Sequence, residues 1–134
     1  MLDAHRALVY TMIIVAAADR DIPDAELQII TDTVAHLPVF RDFDRKALPA
    51  LLNDCVELIG REEGLEETLS AIKNALPVKL CETAYAIACD VAAADGEASQ
   101  EELRILEMIR HRLKIDRLIA AAIERGARAR FQTL

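Results

Sequence analysis

The chain contains no tryptophan, and aromatic residues of every kind make up only 4% of it. Any core must therefore be built from aliphatic side chains. Hydrophobic residues reach 53%, enough for a compact fold and far from the composition of a disordered chain. Four glycines and four prolines in 134 residues supply few turn signals, which disfavours the many short strands of a sandwich or barrel. No segment joins period-two alternation to β-branched enrichment with turn pairs on both sides. Cys55, Cys81 and Cys89 are odd in number and show no CxxC spacing, so neither a disulfide framework nor a cysteine zinc site is indicated. The longest pure apolar run, Met12 to Ala18, falls far short of the ~20 residues of a membrane span. The N-terminal stretch lacks the basic flank and cleavage-site pattern of a signal peptide. These absences lead to an expected all-α fold in a reduced, cytoplasmic setting.

Catalytic frames are missing too. There is no GxGxxG, P-loop, GxSxG or HExxH, and His5, His36 and His111 have no metal-ligand spacing among themselves. Nothing arranges a nucleophile, a base and an orienting group, so an enzyme is not expected. The net charge of −7 disfavours sequence-independent nucleic-acid binding, which needs excess Lys and Arg to neutralise phosphates. Charge is unevenly spread. Residues 104–130 carry eight Lys and Arg against three Asp and Glu, a local net of +5 that leaves −12 on the rest. A solvated helix face explains such a basic end most simply; a patch that docks an acidic partner or lipid headgroups is the alternative.

What the chain does have is an internal duplication. Residues 15–30 align without gaps on residues 91–106, with Val, Ala, Ala, Ala, Asp, Glu, Leu and Ile recurring. Each copy reads as the end of an apolar helix, an acidic turn and a fresh amphipathic helix. The first hairpin is expected over about 3–37 and the second over about 79–113, packed about a pseudo-two-fold axis. In the first, Asp3 is a suitable N-cap, and Leu27, Ile30, Val34 and Leu37 form an apolar stripe that stops before Pro38. In the second, Ser99-x-x-Glu102 is a capping box. One mismatch stands out: Val34 aligns with Arg110, so the two second helices need not bury equivalent faces. Between the hairpins, one helix is expected to reach about Ile59, with Pro49 marking its start or a kink, and a shorter one to run from about Glu66 to Leu76. Pro77 is expected to open the fifth helix. A seventh helix capped by Asp116 is expected to dock through its apolar segment Leu118–Ile123. The sum is a single-domain bundle of about seven helices spanning residues 1–134, with two pseudo-symmetric hairpins.

The acidic turns are the chemically interesting feature. A carboxylate at a helix C-terminus meets the negative end of the dipole, at a cost of roughly 0.3–1 kcal/mol. The chain makes that arrangement twice, at Asp19 and Asp95. Either the aspartates accept local amide hydrogens in Asx-turns, or a cation compensates. Asp19, Asp21 and Glu26 in one turn and Asp95, Glu97 and Glu102 in the other are the candidate ligands. Hard oxygen donors of this kind suit Ca²⁺ or Mg²⁺. The spacing departs from an EF-hand after the first two ligand positions, since Glu26 falls at position 8 counted from Asp19, where that loop needs a glutamate at 12. Structural capping is the plainer reading of these acids.

Ala92-Ala93-Ala94-Asp95-Gly96 followed by Glu102 resembles a signature of the TerB-like (tellurite-resistance) family, and Ala16-Ala17-Ala18-Asp19 to Glu26 is similar to its N-terminal version. The likeness extends to the separation of the hairpins and to the closing segment Leu113-Lys114-Ile115-Asp116. It implies an all-helical domain of bacterial stress-response systems, with an acidic surface for divalent metal and action through protein partners. Carried over residue by residue, Asp19 and Glu26 match the first signature, and Asp95, Gly96 and Glu102 match the second. Arg20 stands where that family often has Gly. The sequence leaves the partner, the oligomeric state and the relevant stress open.

Overall fold

The computed structural model describes residues 2–19 and 21–134. Among them the chain forms seven α-helices and no strand: α1 (Ala4–Ala16), α2 (Asp24–His36), α3 (Leu48–Ile59), α4 (Gly64–Ala75), α5 (Cys81–Ala93), α6 (Gln100–Arg112) and α7 (Arg117–Arg130). The expected all-α fold is what the chain adopts.

The fold is arranged around α1. Every residue from Ala7 to Ala16 is buried, Thr11 included, and the Thr11 hydroxyl is satisfied by donating to the Ala7 carbonyl oxygen at 2.7 Å. A helix that is apolar all round has to be surrounded, and α1 packs against α2, α3, α4, α5 and α6. This explains the long apolar run in the sequence: it is an interior helix, not a truncated membrane span. Asp3 caps α1 by accepting the Arg6 amide hydrogen at 2.9 Å. Alanines in α1 and α5 keep side chains short where the two helices meet, which favours close approach. The cross-pairing is reciprocal, since α1 also touches α6 and α5 also touches α2.

The connecting elements follow local chemistry. Pro49 lies in the first turn of α3, where its missing N–H is harmless, after a 3₁₀ turn at Arg45–Ala47 whose Lys46 amide donates to Asp44. One boundary and one docking face differ from expectation. Pro77 precedes a 3₁₀ turn at Val78–Leu80, and α5 begins only at Cys81. The segment Leu118–Ile123 does not dock as a block: Leu118 is 80% exposed, and the residues of α7 that are buried are Ala120 and Ala127. Asp116 does cap α7, accepting from the Leu118 and Ile119 amides at 3.1 and 3.3 Å.

Candidate functional site

The two acidic turns are brought together by the α1–α5 contact. Asp19 lies in the turn after α1 and Asp95 in the turn after α5, both exposed. Gly96 holds φ at +93°, a left-handed conformation that a side chain resists. Beyond each turn a new helix begins, and its third residue is a glutamate. These two, Glu26 and Glu102, are 1% and 3% exposed. Charged side chains are almost never buried this deeply without partners, so what each one meets decides the chemistry.

Glu102 has its partner. The Ser99 amide donates to its Oε1 at 3.0 Å, and the Glu102 amide donates to Ser99 Oγ at 3.1 Å, a complete capping box. Glu26 occupies the same position of the first copy, but there the N-cap is Pro23. Proline has neither an N–H for the glutamate to accept from nor a hydroxyl to offer in return. Glu26 Oε1 is accordingly buried with no hydrogen-bond partner among the described residues. The duplication has thus kept the glutamate and removed its ordinary local task.

The electrostatics follow. The Glu26 carboxyl is pushed up to about 9, first by burial, then by the hydrogen-bonding reach of the Glu102 side chain and its charge, then by the charges of Asp95 and Asp19. Burial and like charge both disfavour the ionised form. Both effects favour the protonated form of Glu26. Of the six residues proposed from sequence, Asp19, Asp95 and Glu102 therefore all act on Glu26, two buried glutamates with two exposed aspartates. Asp21 is exposed and is not among the groups that shift Glu26. Glu97 lines a separate groove between α5, α6 and α7. Among the described residues no three His, Cys, Asp or Glu side chains already stand as an ion-holding group. An ion at this place would rest on the two glutamates and draw in Asp19 and Asp95. The donor set is all carboxylate, the hard-oxygen chemistry that a divalent cation such as Ca²⁺ or Mg²⁺ takes.

The sequence pattern of one protein family, described as tellurite resistance protein TerB, matches residues 5–124. The chain belongs to the TerB family. Glu26 and the three carboxylates that act on it lie inside the TerB match, which ends within α7; residues 125–134 lie beyond it. No curated protein and no solved structure proved similar enough to match. Two features of this TerB chain escape a reading of the sequence. The burial of Glu26 is masked because it flanks the apolar stripe of α2 and reads as a solvent-facing acid. The other is the Tyr85 hydroxyl, which donates to Glu124 Oε2 at 2.5 Å and pins α7 to α5. Setting Pro23 against Ser99 in the alignment was the available signal for the first; the second had none.

Proposed function

We propose that this TerB-family chain is a non-enzymatic, cytoplasmic stress-response module of the tellurite-resistance type, whose facing acidic turns bind Ca²⁺ or Mg²⁺ and which acts by docking a partner protein. The observation that carries the cation part is the buried, unpartnered Glu26 Oε1, on which Glu102, Asp95 and Asp19 act. Absence of a catalytic constellation supports a binding role, and no helix among the described residues is long and apolar enough to cross a membrane.

The test is a titration with Ca²⁺ and with Mg²⁺ followed by backbone NMR. Shifts confined to residues 19–26 and 95–102, lost in the Glu26→Gln/Glu102→Gln double variant, support the reading. Shifts spread evenly over the acidic surface, or none, remove it. A second reading keeps the partner and drops the metal, with the basic C-terminal helix as the docking element. It is favoured by Arg117, Arg125 and Arg128, which have no carboxylate partner among the described residues. Arg130 is less available, because it donates to Asp90 at 2.5 Å.

A further inference from the structure

Among the described residues, every helix except α7 is held by at least two others; α7 leans on α5 and scarcely touches the rest. It is also the one described helix that buries no large side chain. Ala120 and Ala127 are its buried residues, and Ile123, half-buried, is its larger apolar contact with the core. Two alanine methyl groups remove little apolar area from water. In place of a core contact stand two polar ties from α5. The Tyr85 hydroxyl donates to Glu124 Oε2 at 2.5 Å, and Arg130 donates to Asp90 Oδ1 at 2.5 Å. Arg130 is more than half exposed, so the second tie is screened by water and weak.

The two ends of α7 are anchored unequally. Just before it, Leu113 and Ile115 are buried and fix the chain to the bundle, and Lys114 between them turns it with φ at +57°. Beyond it, residues 132–134 are exposed. At 14 residues, α7 lies in the range of about 12–15 where a helix alone in water is marginal, and Gly126 in its interior lowers the helix preference further. Detached from α5, the segment melts. Beneath it, Tyr85, Cys89 and Ala92 follow one another at i, i+4 and i+7 on one face of α5, all buried. Cys89 sits between the two ties: the charges of Glu124, Asp90 and Arg130 all reach its thiol, which burial pushes up to about 12.

We propose that α7 is a latch: it lifts from α5 as one unit, pivoting about residues 113–116 and melting as it leaves, while α1 to α6 stay folded, and so governs access to the face of α5 that carries Tyr85, Cys89 and Ala92. Proteins open in cooperative pieces below the free energy of global unfolding, and the pieces that open first are those with few buried apolar contacts. By that criterion α7 stands apart from the other six helices. The ties lie at its middle and at its far end, so losing either one shifts the same closed-to-open equilibrium. The inference rests on the packing of α7, and neither on the cation nor on a partner.

Hydrogen exchange of the intact chain, read by NMR at several low urea concentrations, tests the latch together with thiol labelling by monobromobimane. Amides from Ala120 to Arg130 should exchange together, at a rate that rises only weakly with urea, while those of α1 and α5 await global unfolding and rise steeply. Cys89 should be labelled well before the interior Cys55, with peptide mapping separating both from the half-buried Cys81. Tyr85→Phe should speed α7 exchange and Cys89 labelling about three- to tenfold, the loss of one hydrogen bond. Arg130→Ala should do so about two- to fivefold, as for an exposed ion pair, and because Arg130 is exposed this variant keeps the test open if Tyr85→Phe fails to fold. Cys55 should not respond to either. In the closed form Tyr85 and Arg130 both draw the Cys89 thiol down, so their removal alone would slow labelling and an acceleration reports opening. Arg61→Ala, which breaks the exposed Arg61–Glu57 pair of α3, should change neither readout. The latch would be overturned by α7 amides that share the urea dependence of α1, by Cys89 labelled no faster than Cys55, or by tie variants that speed both cysteines alike. Exchange graded from Arg130 back to Ala120 with Cys89 protected would overturn it too, since that pattern is end fraying.

Discussion

A single substitution between the two halves of the duplication, Pro23 against Ser99, sets the chemistry of the candidate site. Where serine stands, the buried glutamate three residues on is consumed as a cap; where proline stands, the matching glutamate is left with an unpartnered oxygen. Glu26 then behaves as an acid whose folded value, about 9, lies above its ordinary 4.5. The sign of the consequence is fixed. Below the unfolded value both states hold the proton and the group has no effect; as pH rises from there toward 9 the unfolded chain ionises while the folded one does not, and stability falls. In metal-free buffer, denaturation midpoints should therefore decline between about pH 5 and pH 9, with a slope no steeper than ~1.4 kcal/mol per pH unit for one proton. Glu26→Gln should flatten that decline, and an unchanged slope in the variant would remove Glu26 as its source. Pro23→Ser gives Glu26 an amide to accept from. It should also flatten the profile, while gaining at most ~1 kcal/mol from the restored cap, partly offset by a more flexible unfolded chain. Equilibrium urea unfolding across the same pH range measures both.

At the scale of elements, the helices were legible wherever a local rule was strong. Asp3, Ser99 and Asp116 announce helix starts because a side-chain oxygen is needed there, and the apolar run of α1 announces an interior helix. Pro77 misled because proline suits the first turn of an α-helix and also the residue before a 3₁₀ turn, two settings that a sequence does not separate. Leu118 misled more instructively: the bundle accepts α7 through alanines, Ala120 and Ala127, which a search for large apolar residues overlooks. The same limit applied to the site. The repeat places Asp19, Asp95 and Glu102 where they act on Glu26, but which two of these acids are buried depends on the α1–α5 packing, a tertiary fact.

One element joint has a sharp requirement. A Cβ on Gly64 would lie 2.0 Å from the Leu58 carbonyl oxygen, so the start of α4 is pressed against the end of α3 where no side chain fits. Gly64→Ala should cost about 1–3 kcal/mol or more, as overpacking does, despite alanine being the better helix former. A stabilised variant in urea unfolding would refute the close contact. Gly96→Ala meets no neighbour within 4 Å and should cost only the strain of a left-handed residue, ~1–2 kcal/mol. Tyr85→Phe removes the donor to Glu124 and should lower stability by ~1 kcal/mol, with amide exchange rising first in α7.

For the molecule as a whole, the site's position at the junction of the two hairpins determines how a cation would be felt. Glu26 and Asp19 belong to the first hairpin and Glu102 and Asp95 to the second, with α1 and α5 packed between. An ion held by both pairs binds the folded state and has no equivalent site in the unfolded chain, so its binding energy adds to global stability by mass action. At a hundred times its dissociation constant that amounts to ~2.7 kcal/mol, several degrees in Tm for a domain of this size. The ion must also displace the Glu26 proton. The gain should consequently be small near pH 5 and grow toward pH 8, opposite to the decline of the metal-free protein, and each ion bound should release up to one proton to the buffer. Calorimetric scans with EDTA, Mg²⁺ and Ca²⁺ at both pH values, in two buffers of different ionisation enthalpy, read the Tm shift and the proton together. A Tm gain of equal size at pH 5 and pH 8, retained in Glu26→Gln, would mean that the ions only screen a chain of net charge −7, with no site between the hairpins.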